Sequence, residues 1–135
     1  MMNAILGIDV GAKKIGLAIG QRATKFAFAR PPLLVDRWSV VWPALKKIIA
    51  AEQVQEIVIG WPLNQDGSAG PQAQVVDRFM TELKKQVNVP VHRRDERYTS
   101  QAVIREQAAA RRRLQRGQED SLVAQLLVEN YLAET

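Results

Sequence analysis

The chain has 135 residues, of which 47% are hydrophobic and 24% charged, as expected for one globular domain covering residues 1–135. It has no cysteine and a single histidine, which excludes disulfides and zinc–thiolate sites and argues against a Ser-His-Asp triad. We find no apolar run of membrane-spanning length and no signal-peptide pattern, so we expect a cytoplasmic protein. The net charge of +5 favours a polyanionic partner.

The N-terminal part of the chain predicts three consecutive strands. Residues 4–10 and 15–20 predict two strands joined by a tight turn over Gly11–Lys14, which makes a β-hairpin. Residues 25–35 predict a third strand. The chain therefore begins with a β-meander.

Helices and strands alternate in the rest of the chain. Apolar residues recur at helical spacing over 38–51, and the run 56–60 lacks polar alternation, which is typical of a strand covered on both faces. The later elements predicted are a helix over 71–86, a strand over 88–93, and helices over 99–114 and 119–133. This order predicts a mixed five-stranded α/β sheet with helices on both of its faces.

Acidic residues follow the strands that should form the centre of this sheet. Asp9 closes the first strand, Gly60 closes the fourth, and Asp95 and Glu96 follow the fifth. Ligands of such sheets collect at the carboxyl ends of the parallel strands. The acids are therefore expected to meet at one edge, together with Asp120 at the start of the last helix.

Each acid also has a purely structural interpretation. Asp9 could accept N–H groups from the adjacent turn, while Asp95, Glu96 and Asp120 could cap helices. Converging carboxylates, however, repel one another unless divalent cations lie between them. Mg²⁺ or Mn²⁺ prefers oxygen ligands, and two such ions can activate a water and stabilise a leaving oxygen. The set of acids predicts a two-metal site for phosphodiester chemistry.

The basic excess is concentrated in one segment. Residues 92–117 contain eight arginines and three acids, whereas the rest of the chain is balanced in charge. The planar fork of arginine matches phosphate oxygens, so we expect this segment to bind nucleic acid, although a solvated helix end is the alternative. The candidate contacts are Arg94, Arg97, Arg111, Arg112, Arg113 and Arg116.

Aromatic residues make up only 6% of the chain, which argues against base stacking as the dominant mode of binding. Trp38, Trp42 and Trp61 are interpreted as packing residues. Recognition of shape and of the phosphate backbone is therefore expected to dominate.

Four segments resemble motifs of one family, YqgF (RuvX). They are Ile8–Ala18, Val58–Ala73, Asp95–Ser100 and Asp120 with its following helix, in the family's order and spacing. The resemblance implies an RNase H-like fold with strand order 3-2-1-4-5 and strand 2 antiparallel. It also implies a nuclease that matures the 5′ end of 16S ribosomal RNA, with resolution of Holliday junctions as the alternative.

The resemblance also implies roles for individual residues. Asp9, Glu96 and Asp120 would be the catalytic, metal-binding acids, and Asp95 a further metal ligand. The loop after the fourth strand would contact substrate, and there Asn64, Ser68 and Gln72 are the candidates.

The two lysines of the first turn could hold a scissile phosphate, although a solvated turn is the alternative. They are Lys13 and Lys14, next to Asp9. The competing function is an RNA-binding module that does not cut. We expect a monomer, because no long apolar helix face stands out, whereas cutting a junction twice would require a dimer.

Overall fold

The computed structural model describes residues 3–11, 13–62, 66–95 and 121–134. The strands are β1 Ala4–Val10, β2 Lys14–Gln21, β3 Ala27–Leu34, β4 Val54–Trp61 and β5 Val91–Asp95. The helices within these ranges are α1 Trp38–Ala51, α2 Pro71–Gln86 and α3 Leu122–Ala133. The helix predicted over 99–114 lies outside the described residues. No helix in the described ranges is long and apolar enough to cross a membrane.

The sheet has the order β3-β2-β1-β4-β5. β2 is antiparallel to β1 and β3, whereas β1, β4 and β5 run parallel to one another. The predicted mixed sheet, with its strand order and its antiparallel second strand, is confirmed. The three parallel strands end together at Val10, Trp61 and Asp95, and we call this end of the sheet the carboxyl edge.

Alternation along β1 assigns its side chains to two cores. Leu6 and Ile8 pack with α1 and α2 on one face, in a core that includes Leu45 and Phe79. Ile5 packs on the other face against α3. Because consecutive strand residues point to opposite faces, this pattern places helices on both sides of the sheet.

α3 lies unusually close to the sheet, because two glycines leave room for it. A Cβ on Gly7 would lie 2.2 Å from Cγ2 of Val128, and one on Gly20 would lie 2.4 Å from Cγ1 of the same residue. Val128 is fully buried. The two glycines therefore set the distance between α3 and the central strands.

A buried hydroxyl fixes the beginning of α3. Ser121 is fully buried, and its Oγ accepts a hydrogen bond of 3.1 Å from the backbone N–H of Leu17. The pairing register of β2 and β3 shifts between Ile15 and Leu17, at the same place. This bond therefore joins the start of α3 to an irregular point of β2.

We expect Ser121→Ala to lower the free energy of unfolding by about 1–3 kcal/mol, because the N–H of Leu17 would stay buried without its acceptor. Denaturant unfolding measures the change. Thr81→Ala is the matched control, since the Thr81 hydroxyl bonds to its own helix at an exposed position and its loss should cost under about 0.5 kcal/mol. Equal effects for the two variants would contradict this role of Ser121.

Several element boundaries differ from those predicted, among them those of β3, which spans Ala27–Leu34 rather than 25–35. β5 begins at Val91 rather than at residue 88, because Pro90 has no N–H to donate and restricts the residue before it. Asp95 is the last residue of β5 rather than following it, since its backbone still pairs with Trp61. β4 begins at Val54, which is buried and pairs with Ala4, and α3 begins at Leu122 instead of 119.

Candidate functional site

Asp9 lies at the carboxyl edge, as predicted from its place in the sequence. It is half-buried and pairs with Gly16 of β2, while the preceding Ile8 pairs with Ile59 of β4. Asp95 ends β5, where its backbone pairs with Trp61. Since one strand separates β1 from β5, their backbones are about 10 Å apart. The structure thus brings two of the predicted acidic positions to one edge.

The face of the sheet that carries Asp9 is the one covered by α3. Asp9 alternates with Ile8 and Val10, whose side chains belong to the core under α1 and α2. The hydrogen bond between Ser121 and Leu17 holds the start of α3 against β2, one residue from the position that pairs with Asp9. The chain therefore enters α3 close to this carboxylate.

The β1–β2 turn places two lysines at the same edge. Lys13 and Lys14 are both exposed, and the N–H of Gly11 donates to the carbonyl of Lys14 over 2.9 Å. A Cβ on Gly11 would lie only 2.7 Å from that carbonyl oxygen, so the turn requires glycine there. The binding of nucleic acid by these lysines stays a prediction.

The loop after β4 delivers the beginning of α2 to the carboxyl edge. Asp66 Oδ1 accepts hydrogen bonds from the N–H of Ser68 over 2.9 Å and from its Oγ over 2.6 Å. Gly67 adopts a φ of 88°, which favours glycine. α2 then starts at Pro71 without a side-chain cap, so first-turn N–H groups of this helix are available to an anion.

Gln72 connects α2 directly to the strand that carries Asp9. Its Nε2 donates a hydrogen bond of 2.7 Å to the carbonyl oxygen of Val10, the residue after Asp9. The contact of Gln72 with substrate, predicted from the sequence, stays a prediction. The bond gives Gln72 a structural role in holding the end of β1.

We expect Gln72→Ala to lower kcat for cleavage about 5-fold and leave KM within about 2-fold, because one hydrogen bond of about 1 kcal/mol would no longer hold β1. Steady-state kinetics on a nucleic-acid substrate measure kcat and KM separately. Gln74→Ala is the matched control, since Gln74 bonds to the exposed carbonyl of Ala69 in the same helix turn. A rise in KM alone would instead make Gln72 a substrate contact.

The side chains of Arg93 and Trp61 stack on each other near the ends of β5 and β4, a contact that the sequence did not predict. The Arg93 guanidinium carbon lies 3.7 Å from the centre of the Trp61 ring, and its Nη1 donates to Asp77 over 2.7 Å. The indole Nε1 of Trp61 is buried without a hydrogen-bond partner in the described part of the chain. Trp61 also packs against the core, as predicted.

Arg94 forms a bidentate pair with Glu134, beyond the end of α3. The guanidinium holds the pKa of the Glu134 carboxyl below its ordinary value of 4.5 through its hydrogen bonds and its charge. The predicted contact of Arg94 with nucleic acid stays a prediction.

A second polar cluster lies near the same, C-terminal end of α3. Burial raises the pKa of the Tyr131 hydroxyl above 10.0, and a hydrogen bond with Glu56 acts in the same direction. Arg22 pairs with Glu56 over 2.5 Å. This cluster involves none of the predicted site residues.

The remaining predicted site residues lie outside the described residues. They are Glu96, Asp120, Asn64, Arg97, Arg111, Arg112, Arg113 and Arg116. Within residues 3–11, 13–62, 66–95 and 121–134, no group of three His, Cys, Asp or Glu side chains could hold a metal ion. The described part therefore contributes Asp9 and the geometry of the edge, and the complete ligand set stays a prediction.

Comparison with known proteins assigns the chain to a family. Residues 3–134 match the family model described as "RuvX: Holliday junction resolvase". The chain belongs to the RuvX family. Membership makes it an enzyme of the nuclease class, which hydrolyses phosphodiester bonds, and confirms the resemblance seen in the motifs. Roles of individual residues are not part of this match.

Curated RuvX relatives carry the name "Putative pre-16S rRNA nuclease". The protein from Moorella thermoacetica is 35% identical over 130 residues, covering 95% of this chain and 93% of the relative. The protein from Pseudomonas aeruginosa strain PAO1 is 34% identical over 135 residues, covering 98% and 94%. The similarity therefore spans nearly the whole length of both chains.

Solved structures confirm the RNase H-like fold of this RuvX family member. RuvC of Thermus thermophilus, in complex with a Holliday junction substrate, has a TM-score of 0.62 at 12% identity and covers 98% of this chain and 94% of RuvC. The fowlpox virus Holliday junction resolvase has a TM-score of 0.55 at 13% identity, with 98% and 99% covered. At these identities the likeness concerns the fold alone.

Proposed function

We propose that this RuvX protein is a divalent-metal-dependent nuclease that processes the 5′ end of pre-16S ribosomal RNA in the cytoplasm. The observation that carries the proposal is the half-buried carboxylate of Asp9 at the carboxyl edge, next to the start of α3. The name shared by the curated relatives supports RNA as the substrate.

The proposed metal ligands are Asp9, Glu96 and Asp120, with Asp95 as a fourth candidate. A set of carboxylates offers only oxygen donors, which suits Mg²⁺ or Mn²⁺, and the chain has no cysteine to attract softer metals. Asp120 directly precedes Ser121, which contacts β2 beside Asp9, and this supports its membership. The metal, as two ions, would activate the attacking water and stabilise the leaving oxygen.

Binding of the substrate backbone is assigned to cationic and N–H groups around the same edge. Lys13 and Lys14 are exposed beside Asp9, and α2 points its uncapped N-terminus towards this edge. Ser68 lies in the loop that leads into α2. The arginine-rich segment would extend the contact along the phosphate backbone and make binding salt-dependent. One active site suffices for trimming an RNA end, so a monomer is proposed.

Resolution of Holliday junctions is the second candidate function. The printed description of the family model and the fold shared with RuvC favour it. A four-way DNA junction offers two equivalent strands, so this function would need two active sites and therefore a dimer.

A cleavage assay separates these functions. Purified protein would be offered a 5′-extended pre-16S RNA fragment and a four-way DNA junction, each with Mg²⁺, Mn²⁺ or EDTA. We expect metal-dependent cutting of the RNA at its 5′ extension. Preferred cutting of the junction would instead favour the resolvase, and tight RNA binding without cutting under any condition would favour a non-catalytic module.

A further inference from the structure

An aromatic pocket lies between α1 and α2, on the face of the sheet opposite to α3. It has a volume of about 400 Å³. Its lining residues are Trp38, Trp42, Val75, Arg78, Phe79 and Glu82. No step of the proposed cleavage uses it.

The rings of Trp38, Trp42 and Phe79 pack against one another, and that of Trp38 is partly exposed to solvent. Trp38 and Trp42 are stacked with their ring centres 6.0 Å apart, and Trp42 lies 5.2 Å from Phe79. Phe79 is buried in the core, whereas Trp38 is 43% exposed. Tryptophan is usually well buried, so a half-exposed indole next to a second indole offers accessible aromatic surface to a planar ligand.

The charges around the pocket suit a nucleotide. Arg78 lines the pocket and Arg37 directly precedes Trp38, and both are exposed. In the described part of the chain these two arginines have no carboxylate partner. The other arginines described, Arg22, Arg30, Arg93 and Arg94, are each paired with an Asp or Glu. Glu82 also lines the pocket, four residues after Arg78. Two guanidinium groups without a paired carboxylate, beside a half-exposed indole, combine a phosphate contact with a stacking surface.

Both helices that line the pocket begin near the carboxyl edge, where cleavage is proposed. β3 runs parallel to β1, its last residue Leu34 pairs with Lys14, and the next N–H, of Val35, donates to the carbonyl of Lys13. α1 begins at Trp38 shortly after this point. α2 also begins at the edge, and Val75 and Phe79 lie about 6 and 12 Å along it from Pro71. A strand crossing the carboxyl edge could therefore reach the pocket.

We propose that this pocket binds one unpaired base of the single-stranded part of the substrate by stacking on Trp38, with Arg78 and Arg37 contacting the adjacent phosphate. The inference rests on the proposed function and extends it, because it makes the protein select substrates whose strand continues, unpaired, from the cleavage site across the carboxyl edge to the other face of the sheet. It also modifies the interpretation of Trp38 as only a packing residue. The Glu82 carboxylate already accepts a hydrogen bond of 3.0 Å from Gln86 and retains acceptor capacity for the amino group of such a base.

The test measures RNA binding by fluorescence polarisation in EDTA, with a labelled single-stranded RNA and versions carrying one abasic nucleotide at each position in turn. Wild type should lose about 5- to 150-fold in affinity at one position of the abasic series. Trp38→Ala should lose a similar factor on intact RNA and show no further loss at that position. Trp38→Phe should restore most of the affinity, and blunt duplex RNA should not distinguish the variants.

Phe28→Ala is the matched control, because Phe28 is an aromatic residue of β3 that is 66% exposed and does not line the pocket. Its affinity for RNA should equal that of wild type, and thermal unfolding should show that all variants are folded. Equal affinity and equal abasic profiles for wild type and Trp38→Ala would overturn the inference. The pocket would then be assigned to an apolar segment of a partner protein.

Cleavage of the 5′-extended RNA with Mn²⁺, measured in parallel, separates this inference from the proposed function. Cutting by wild type together with Trp38-independent binding overturns the inference alone. Trp38-dependent binding without cutting overturns the proposed nuclease and leaves the base-binding pocket standing. Absence of any RNA binding by wild type overturns both.

Discussion

Asp9→Asn is expected to lower the rate of metal-dependent cleavage by at least about 100-fold. The amide removes the negative charge that would hold the metal, and a bound metal contributes several kcal/mol of transition-state stabilisation, with each 1.36 kcal/mol worth a factor of ten. Asparagine has nearly the same shape as aspartate, so the fold and the affinity for RNA in EDTA should be retained. Single-turnover cleavage with Mn²⁺ measures the rate.

The matched control for this substitution is Asp36→Asn, at an exposed position before α1. It removes the same charge from the protein, and its cleavage rate should stay within about 2-fold of wild type. Comparable losses for the two variants would point to net charge rather than to a metal site. Retained cleavage by Asp9→Asn would remove Asp9 from the mechanism.

Gly7→Ala is expected to produce the largest loss of stability among the substitutions considered, at least about 2 kcal/mol. The new Cβ would lie 2.2 Å from Cγ2 of Val128, and also 3.1 Å from the carbonyl oxygen of Ala124. Overpacking of this kind usually costs about 1–3 kcal/mol, and here the backbone of α3 blocks relaxation. Because α3 covers the face of Asp9, its displacement should also lower cleavage. Denaturant unfolding measures the stability.

The double variant Gly7→Ala/Val128→Ala provides the control. Removing the methyl groups of Val128 relieves the collision, so the two substitutions should destabilise by less together than the sum of their separate effects. A double variant that is destabilised by at least about 1 kcal/mol less than this sum would confirm that the contact between Gly7 and Val128 sets the position of α3. Strict additivity would contradict it.

The arrangement of the strands was predictable because it depends on local patterns. The short apolar runs of β1 and β4, the turn at Gly11 and the helical spacing in α1 and α2 each act over a few residues. Chain order then restricts the sheet to few topologies. The position of Asp9 at the carboxyl edge follows from these same rules, and the structure confirms it.

The contacts that hold the site together were not predictable, because their partners are distant in sequence. Gln72 reaches Val10 over 62 residues, and Ser121 reaches Leu17 over 104. Neither a polar residue in the first turn of a helix nor a serine before one signals such a partner. The exposure of Trp38 was not predictable either, since a tryptophan at helical spacing predicts only packing.

The measurement that tests the central claim most directly is paramagnetic line broadening by Mn²⁺ in NMR spectra of the isotope-labelled protein. If the carboxyl edge holds the metal, low Mn²⁺ concentrations should broaden the amide signals of Gly11 and Gly16 and the indole signal of Trp61. Signals near Arg22, beside Glu56 and away from Asp9, should stay sharp. In Asp9→Asn the selective broadening should disappear. Broadening that is the same in both proteins, or that centres elsewhere, would contradict a metal-dependent nuclease site at Asp9.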